Sequence, residues 1–306
     1  MKAFGFTQGG GPTALQEFDI AAPHPANDQV LIDVAAIGLN NRERLSREQG
    51  SLGGPTIPGR DAAGIVTAVG SNHATFQIGD RVVAHVQQSY AAQVTASVRS
   101  TAKLPAQLSF TTAAALVTPG VTAYRIVYTF GRIRAGETVI VKGASGGVGS
   151  LVVQLANQVG ATVIGVASAR NQLLVEKLGV DRFVAYDQAD ISTALAATAD
   201  IVVNVAMNGA GGDQDVAMVK PGGRIISVSH RSPRLPAGIT FQHTYPGDDT
   251  DSAALPQLVQ EAAAGQLTVP IDHVFPFTLA GFVAAHEALD SQHTGRIVVA
   301  KELPTL

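Results

Sequence analysis

The segment from Thr138 to Ser168, TVIVKGASGGVGSLVVQLANQVGATVIGVAS, constrains the fold more than any other stretch of the chain. Val139–Val141 is a β-branched run, and Gly143, Gly146 and Gly149 follow at three-residue intervals. Val148, Leu151, Val152, Leu155 and Val159 then recur every three or four residues, one apolar helix face that ends at Gly160. Thr162–Ala167 reads as a buried strand, which completes a βαβ unit. Glycines at such a turn let backbone approach a pyrophosphate closely, and the N–H groups at a helix start attract the anion. The turn therefore predicts a dinucleotide cradle built from Gly143, Ser145, Gly146, Gly147, Val148 and Gly149.

The flanking sequence has two textures. Residues 1–110 hold short strand-like runs with Gly/Pro punctuation: Met1–Phe6, Gln29–Ile37, the stretch Pro58–Val69, Arg81–His85 and Tyr90–Ala96. That pattern suggests a barrel. Beyond Pro105, Ser109–Val117 and Val121–Phe130 read as helices broken by Pro119-Gly120. After the glycine turn, helices over Gln172–Leu178, Ser192–Ala197 and Asp215–Lys220 alternate with strands over Phe183–Ala185, Ile201–Val205 and Arg224–Ser229, with Pro221-Gly222-Gly223 as a turn. Alternation of this kind predicts a doubly wound parallel sheet. Ile239–His243 is expected as a late edge strand, followed by helices over Ser252–Ala264 and Leu279–Leu289 and a strand over Arg296–Ala300.

At 46% hydrophobic and 15% charged, the 306 residues can bury a sizeable core. The net charge of −3 offers no electrostatic case for nucleic acid or anionic membrane. With no cysteine there is neither a disulfide nor a thiolate metal site. No apolar run is long enough to cross a bilayer and no secretory signal pattern is present, so a soluble, cytoplasmic protein is expected.

Gly38-Leu39-Asn40, PGRDAAGIVTAVG at 58–70, FQIGDRV at 76–82, GVTAY at 120–124, the glycine turn, KPGGRIISVS at 220–229 and TGRIVV at 294–299 stand in a specific order and spacing. Through them the chain resembles the medium-chain dehydrogenase/reductase superfamily, and within it the zinc-free quinone oxidoreductases (zeta-crystallin-like). The resemblance implies an α/β architecture: a GroES-like β-barrel catalytic domain over 1–117, a Rossmann domain with a six-stranded parallel sheet over 118–266, and a return to the catalytic domain over 267–306. It implies catalytic roles for Asn40 and Thr122, and cofactor contacts from Tyr186, Asn204, Ser227 and Ser229. Asn40 also fits as the N-cap of a helix beginning at Asn41. Zinc-dependent members use a cysteine near the Asn40 position and a later His-Glu pair. Here Arg60-Asp61 replaces that pair, and arginine cannot ligate a metal. No metal is therefore expected, and Arg60 with Asp61 is read as an internal ion pair.

The second strand of the βαβ unit ends Ser168-Ala169-Arg170-Asn171, without the carboxylate that an NAD ribose favours. Arg170, with Ser168 and Asn171 as hydroxyl and amide donors, suits a 2′-phosphate, so NADPH is the expected cofactor. Without a metal to hold a developing oxyanion, acceptors that delocalise charge are favoured, such as quinones and enones. Hydride transfer from NADPH to a conjugated carbonyl is the resulting expectation. An alkenal/enoyl reductase and a non-catalytic NADPH-binding sensor are the alternatives. The strand Ile239–His243 suggests a homodimer through a sheet edge.

Overall fold

A computed structural model describes residues 1–51, 53–71, 75–244 and 253–302. Contacts divide the chain into one unit of Met1–Thr118 with Gly247–Leu306, and a second of Pro119–Pro246.

The first unit contains β1 (Lys2–Gly5), β2 (Gln16–Asp19), β3 (Gln29–Gly38), α1 (Asn41–Gln49), β4 (Asp61–Val69), β5 (Arg81–His85), β6 (Gln93–Ser97), β7 (Thr101–Lys103) and the start of α2 (Phe110–Tyr124). In β3 the period-two side-chain alternation buries Val30, Ile32, Val34 and Ala36 on one face. This strand pairs antiparallel with β4 and β6.

The second unit carries β8 (Thr138–Lys142), α3 (Gly147–Gln158), β9 (Thr162–Ala167), α4 (Gln172–Lys177), β10 (Arg182–Ala185), α5 (Ile191–Ala194), β11 (Ala199–Asn204), α6 (Gly212–Met218), β12 (Val219–Ser227) and β13 (Thr240–His243). Its strands form one sheet in the order β10-β9-β8-β11-β12-β13, with every pair parallel. The chain builds outward from β8 to β10 and then starts again at β11 on the other side. Ligands of such sheets bind outside the carboxyl ends of the strands at this reversal. Lys142 and Asn204, the last residues of β8 and β11, are register partners there.

The chain then returns to the first unit through α7 (Ala254–Ala263), β14 (Ile271–Pro276), α8 (Leu279–Asp290) and β15 (Arg296–Ala300). β15 pairs with β3, so the last strand closes on the first long one. Phe282 of α8 lies 4.6 Å, ring centre to ring centre, from both Phe4 and Tyr90. The C-terminal helix thus fills the core begun at the N-terminus. The return starts before the expected boundary at 267, because α7 packs against β7. Ser252, the expected first residue of that helix, lies outside the described residues.

Three local expectations need correcting. Pro119 does not break the helix: α2 runs through it and continues as a π-helical turn over Arg125–Phe130. Proline removes the N–H that would bond the carbonyl four residues earlier. Here that carbonyl, of Ala115, accepts from Arg296 Nε at 3.0 Å, so the freed acceptor is satisfied from β15. Pro221-Gly222-Gly223 falls within β12 rather than before it, where a register shift between the Val219 and Arg224 pairings absorbs it. The helix expected over Asp215–Lys220 accordingly begins and ends earlier, as α6. Strands β2, β7 and β14 have no strong sequence signal. β14 carries Asp272, His273 and a terminal Pro276 in place of an apolar alternation.

Candidate functional site

The glycine turn leaves β8 through Gly143, whose φ of +81° is left-handed. Its N–H and that of Ala144 both donate to Val166 O on β9, at 3.0 and 3.1 Å. Gly149 follows in the first turn of α3, and a Cβ there would run into the Gly143 carbonyl. A Cβ on Gly143 would come within 2.9 Å of Ala206 N. Backbone therefore packs on backbone on both sides of the turn. Gly146, extended at the N-cap of the twelve-residue α3, has no side chain to occupy the first helical N–H groups. Close glycine backbone against an uncapped helix start fits a pyrophosphate.

At the neighbouring corner, the structure brings Ser145, Ser168 and Asn171 together. Asn171 Nδ2 donates to Ser145 Oγ at 3.0 Å and to Ser168 Oγ at 3.1 Å. Arg170 is exposed on the 3₁₀ turn Ala169–Asn171, and Tyr186 is exposed just beyond β10. One group here was not anticipated. Asp187 Oδ1 accepts from Ala169 N–H at 2.9 Å, so a carboxylate reaches the end of β9 from the adjacent strand. Only the pairing of β9 with β10 reveals this.

Asn204 is fully buried, and its carboxamide is committed to protein partners. Nδ2 donates to Asp215 Oδ2 (2.7 Å) and to the carbonyls of Gly209 and Ala210, while Oδ1 accepts from Ala206 N–H (3.2 Å). Lys142 Nζ completes the cluster, donating to Asp215 Oδ1 (2.6 Å), Gly211 O (2.8 Å) and Ala210 O (3.2 Å). Burial raises the pKa of Asp215, and Lys142 and Asn204 oppose that shift. Together these three side chains hold the turn 206–211, in which Asn208, Gly209 and Gly211 are all left-handed. Gly209 packs against Ser227 and Ser229. Ser227 Oγ accepts from Ser229 N–H, and Ser229 Oγ from Arg231 N–H. Asn204 thus acts here as a brace for the turn beside Gly143, a role its position at a strand end does not disclose.

In the first unit, Asn40 is the N-cap residue of α1, with its N–H donating to the Glu43 carboxylate at 2.7 Å. Its side chain is engaged at both ends, donating to Asp61 Oδ2 (3.1 Å) and accepting from Arg296 Nη2 (3.0 Å). Arg296 Nη2 also lies 3.3 Å from Asp61 Oδ2, and Asp61 Oδ1 accepts from the Thr118 hydroxyl and N–H. The ion-pair partner of Asp61 is therefore Arg296, not Arg60. Thr122 is half-buried in α2. Among the described residues, no group of three or more His, Cys, Asp or Glu side chains is placed to hold a metal ion.

Glu43 is buried beside this network, and burial, reinforced by Asp61, pushes its carboxyl up to about 7. Because its folded pKa exceeds the unfolded value, the stability it contributes is complete below about pH 4.5 and lost as pH rises through 7. Glu43→Gln keeps an acceptor for Asn40 N–H but cannot ionise. Its stability relative to the unsubstituted chain should rise from near zero at pH 4.5 to about 3 kcal/mol at pH 7.5. Parallel urea-denaturation profiles across that window would contradict this expectation.

Two family models match the chain: alcohol dehydrogenase GroES-like domain over residues 26–129 and zinc-binding dehydrogenase over 147–244. The chain is 33% identical over 243 residues to the quinone oxidoreductase of Homo sapiens, covering 76% of this chain and 74% of that protein. The chain belongs to the medium-chain dehydrogenase/reductase superfamily, in its quinone oxidoreductase branch. It is 32% identical over 320 residues to an NADPH-dependent alkenal/one oxidoreductase, chloroplastic, of Arabidopsis thaliana, covering 98% and 79% of the two chains. The quinone oxidoreductase structure from Coxiella burnetii superimposes with a TM-score of 0.86 at 28% identity, over 98% of this chain and 99% of the other. As a medium-chain dehydrogenase/reductase, the protein is an oxidoreductase with a GroES-like domain and a Rossmann domain for a nicotinamide cofactor. No helix among the described residues is long and apolar enough to cross a membrane.

Proposed function

We propose that the protein is a zinc-independent reductase that transfers hydride from NADPH to a conjugated carbonyl, a quinone or an enone. The observation that carries this reading is the Asn40–Asp61–Arg296 network. Asp61 already shares its carboxylate among Arg296, Asn40 and Thr118, and Asn40 is a neutral amide used at both ends. A zinc ion needs anionic or imidazole donors with free lone pairs, and this set offers none. The guanidinium of Arg296, fixed between these two side chains, is the counter-ion of Asp61. Without a Lewis acid, an acceptor that spreads its incoming charge through conjugation is favoured over a simple ketone.

Gly143, Gly146, Gly147, Val148 and Gly149 would hold the pyrophosphate of NADPH. Ser145, Ser168, Arg170, Asn171 and Tyr186 would face the adenosine 2′-phosphate, and the braced turn after Asn204, with Ser227 and Ser229, the nicotinamide half. When bound, the reduced nicotinamide supplies the hydride; the protein groups orient it and exclude water. We assign catalytic roles to Asn40, held rigid by its two partners, and to Thr122.

The relatives carry both quinone and alkenal names, so the acceptor panel decides between them. Loss of NADPH absorbance with 1,4-quinones or 2-alkenals, and little with simple ketones, is expected. Equal turnover of ketones that is abolished by a chelator would sink the zinc-independent reading. Arg170→Ala should weaken NADPH use by roughly tenfold and leave NADH use little changed.

A further inference from the structure

Asp187 opposes the charge of the corner it shares with Arg170. The parallel pairing of Ala185 with Ala167 sets the tips of β10 and β9 side by side. Tyr186 N–H extends the ladder one residue further, donating to Ala167 O at 3.1 Å. Asp187 then reaches across, and its Oδ1 accepts from Ala169 N–H at 2.9 Å. That N–H opens the 3₁₀ turn Ala169–Asn171, which carries Arg170. An incoming anion at this turn finds its first donor already taken by an internal carboxylate. Arg170 and Asp187 are both exposed, so the same turn carries two opposite charges at its surface. A carboxylate can accept several hydrogen bonds, so the one from Ala169 leaves acceptor capacity for a ligand hydroxyl.

We propose that Asp187 is a specificity-determining residue that holds down the preference for NADPH over NADH. Its carboxylate repels a ribose 2′-phosphate and accepts from a ribose 2′-hydroxyl, against the attraction of Arg170. The inference rests on the reading of this corner as the adenosine-ribose site. It changes what that site does: two opposed charges on adjacent strand tips let the protein take both dinucleotides.

Asp187→Asn isolates the charge, because the amide oxygen can still accept from Ala169 N–H and keep the turn in place. The direct measurement is titration calorimetry with adenosine 2′,5′-bisphosphate and 5′-AMP, which differ at the 2′ position and require no turnover. In Asp187→Asn the ratio of affinities should move roughly tenfold toward the bisphosphate, and less at high salt, where surface charges are screened. The ratio of kcat/KM for NADPH over NADH should move the same way. Arg170→Ala should move both ratios in the opposite direction. A ratio within twofold of the unsubstituted protein in Asp187→Asn, with the thermal midpoint unchanged, overturns the proposal. Failure of the NADPH reading looks different: the unsubstituted protein would prefer NADH and Arg170→Ala would leave the ratio alone. Asp187→Asn would still gain affinity for the bisphosphate. Asp187→Ala, which removes the anchor as well as the charge, should shift the ratio in the same direction as Asp187→Asn. A shift only in the alanine variant would mean that turn geometry, not charge, sets the preference, and would also overturn the proposal.

Discussion

Arg296→Leu is expected to destabilise the first unit by about 4 kcal/mol at pH 7.5, because it strands three buried groups at once. Asp61 is fully buried and would lose its arginine, leaving an ionised carboxylate supported by Thr118, Asn40 and the nearby His85. Asn40 Oδ1 would lose its donor, and so would the Ala115 carbonyl that Pro119 leaves without a helical partner. Burial already raises the Asp61 pKa against the pull of Arg296, so removing the arginine raises it further. A carboxyl with a raised folded pKa loses stability as pH rises through that value. The cost of the substitution should therefore be largest at neutral pH and shrink as the solution is acidified toward pH 5. Urea denaturation at both pH values tests this, and the thermal midpoint at pH 7.5 should fall by roughly 10 °C. Arg296→Lys should recover part of the loss, since it restores the charge but not the fork that reaches Ala115 and Asn40 together. A leucine variant within about 1 kcal/mol of the unsubstituted chain would show that the network contributes little to stability.

The residues of this network show where sequence stops being informative. The glycine turn was legible because its chemistry is local: spacing, a β-branched run before it and an apolar helix face after it. The alternation of strands and helices was legible for the same reason, and it leads to the parallel sheet of six strands. Arg296 gave no such signal, because its partners stand at 40, 61 and 115 and meet it only through the pairing of β15 with β3. Pro119 misled for a related reason: a local rule predicts a break, and a side chain 177 positions away removes the cause. Asn204 and Asp187 are two sides of one limitation. Position along a strand shows which residues reach the carboxyl edge of the sheet, but not what they bond once there. Asn204 is turned inward to Asp215, and Asp187 reaches sideways to Ala169. The weak strands β2 and β14 were missed because pairing, more than composition, makes them strands.

Lys142→Met should cost the second unit about 3–5 kcal/mol and should also weaken cofactor binding, and the two effects can be separated. Lys142 and Asp215 are both buried, with their charged atoms 2.6 Å apart. Removing the lysine leaves Asp215 as a buried anion held only by Asn204, and burial already disfavours its charged form. Replacing both members, Lys142→Met with Asp215→Leu, removes the charges together. Apolar replacement of a buried pair is often close to neutral, so most of the lost stability should return, leaving about 1–2 kcal/mol. The carbonyls of Ala210 and Gly211 do not recover the Lys142 ammonium in the double variant, and Asn204 loses its carboxylate partner. Of the side-chain bonds that brace the turn 206–211, those of Asn204 to its backbone then remain, although its left-handed residues require an imposed conformation. Because this turn packs against Gly143, its displacement should raise the Kd for NADPH by roughly tenfold in the single and the double variant alike. Stability should thus separate the two variants while cofactor affinity does not. Recovery of both properties in the double variant would mean that the ion pair only fills space. Recovery of stability alone assigns Lys142 to the placement of the turn, which would explain why a lysine is buried at the end of β8, beside the glycines on which the βαβ unit depends.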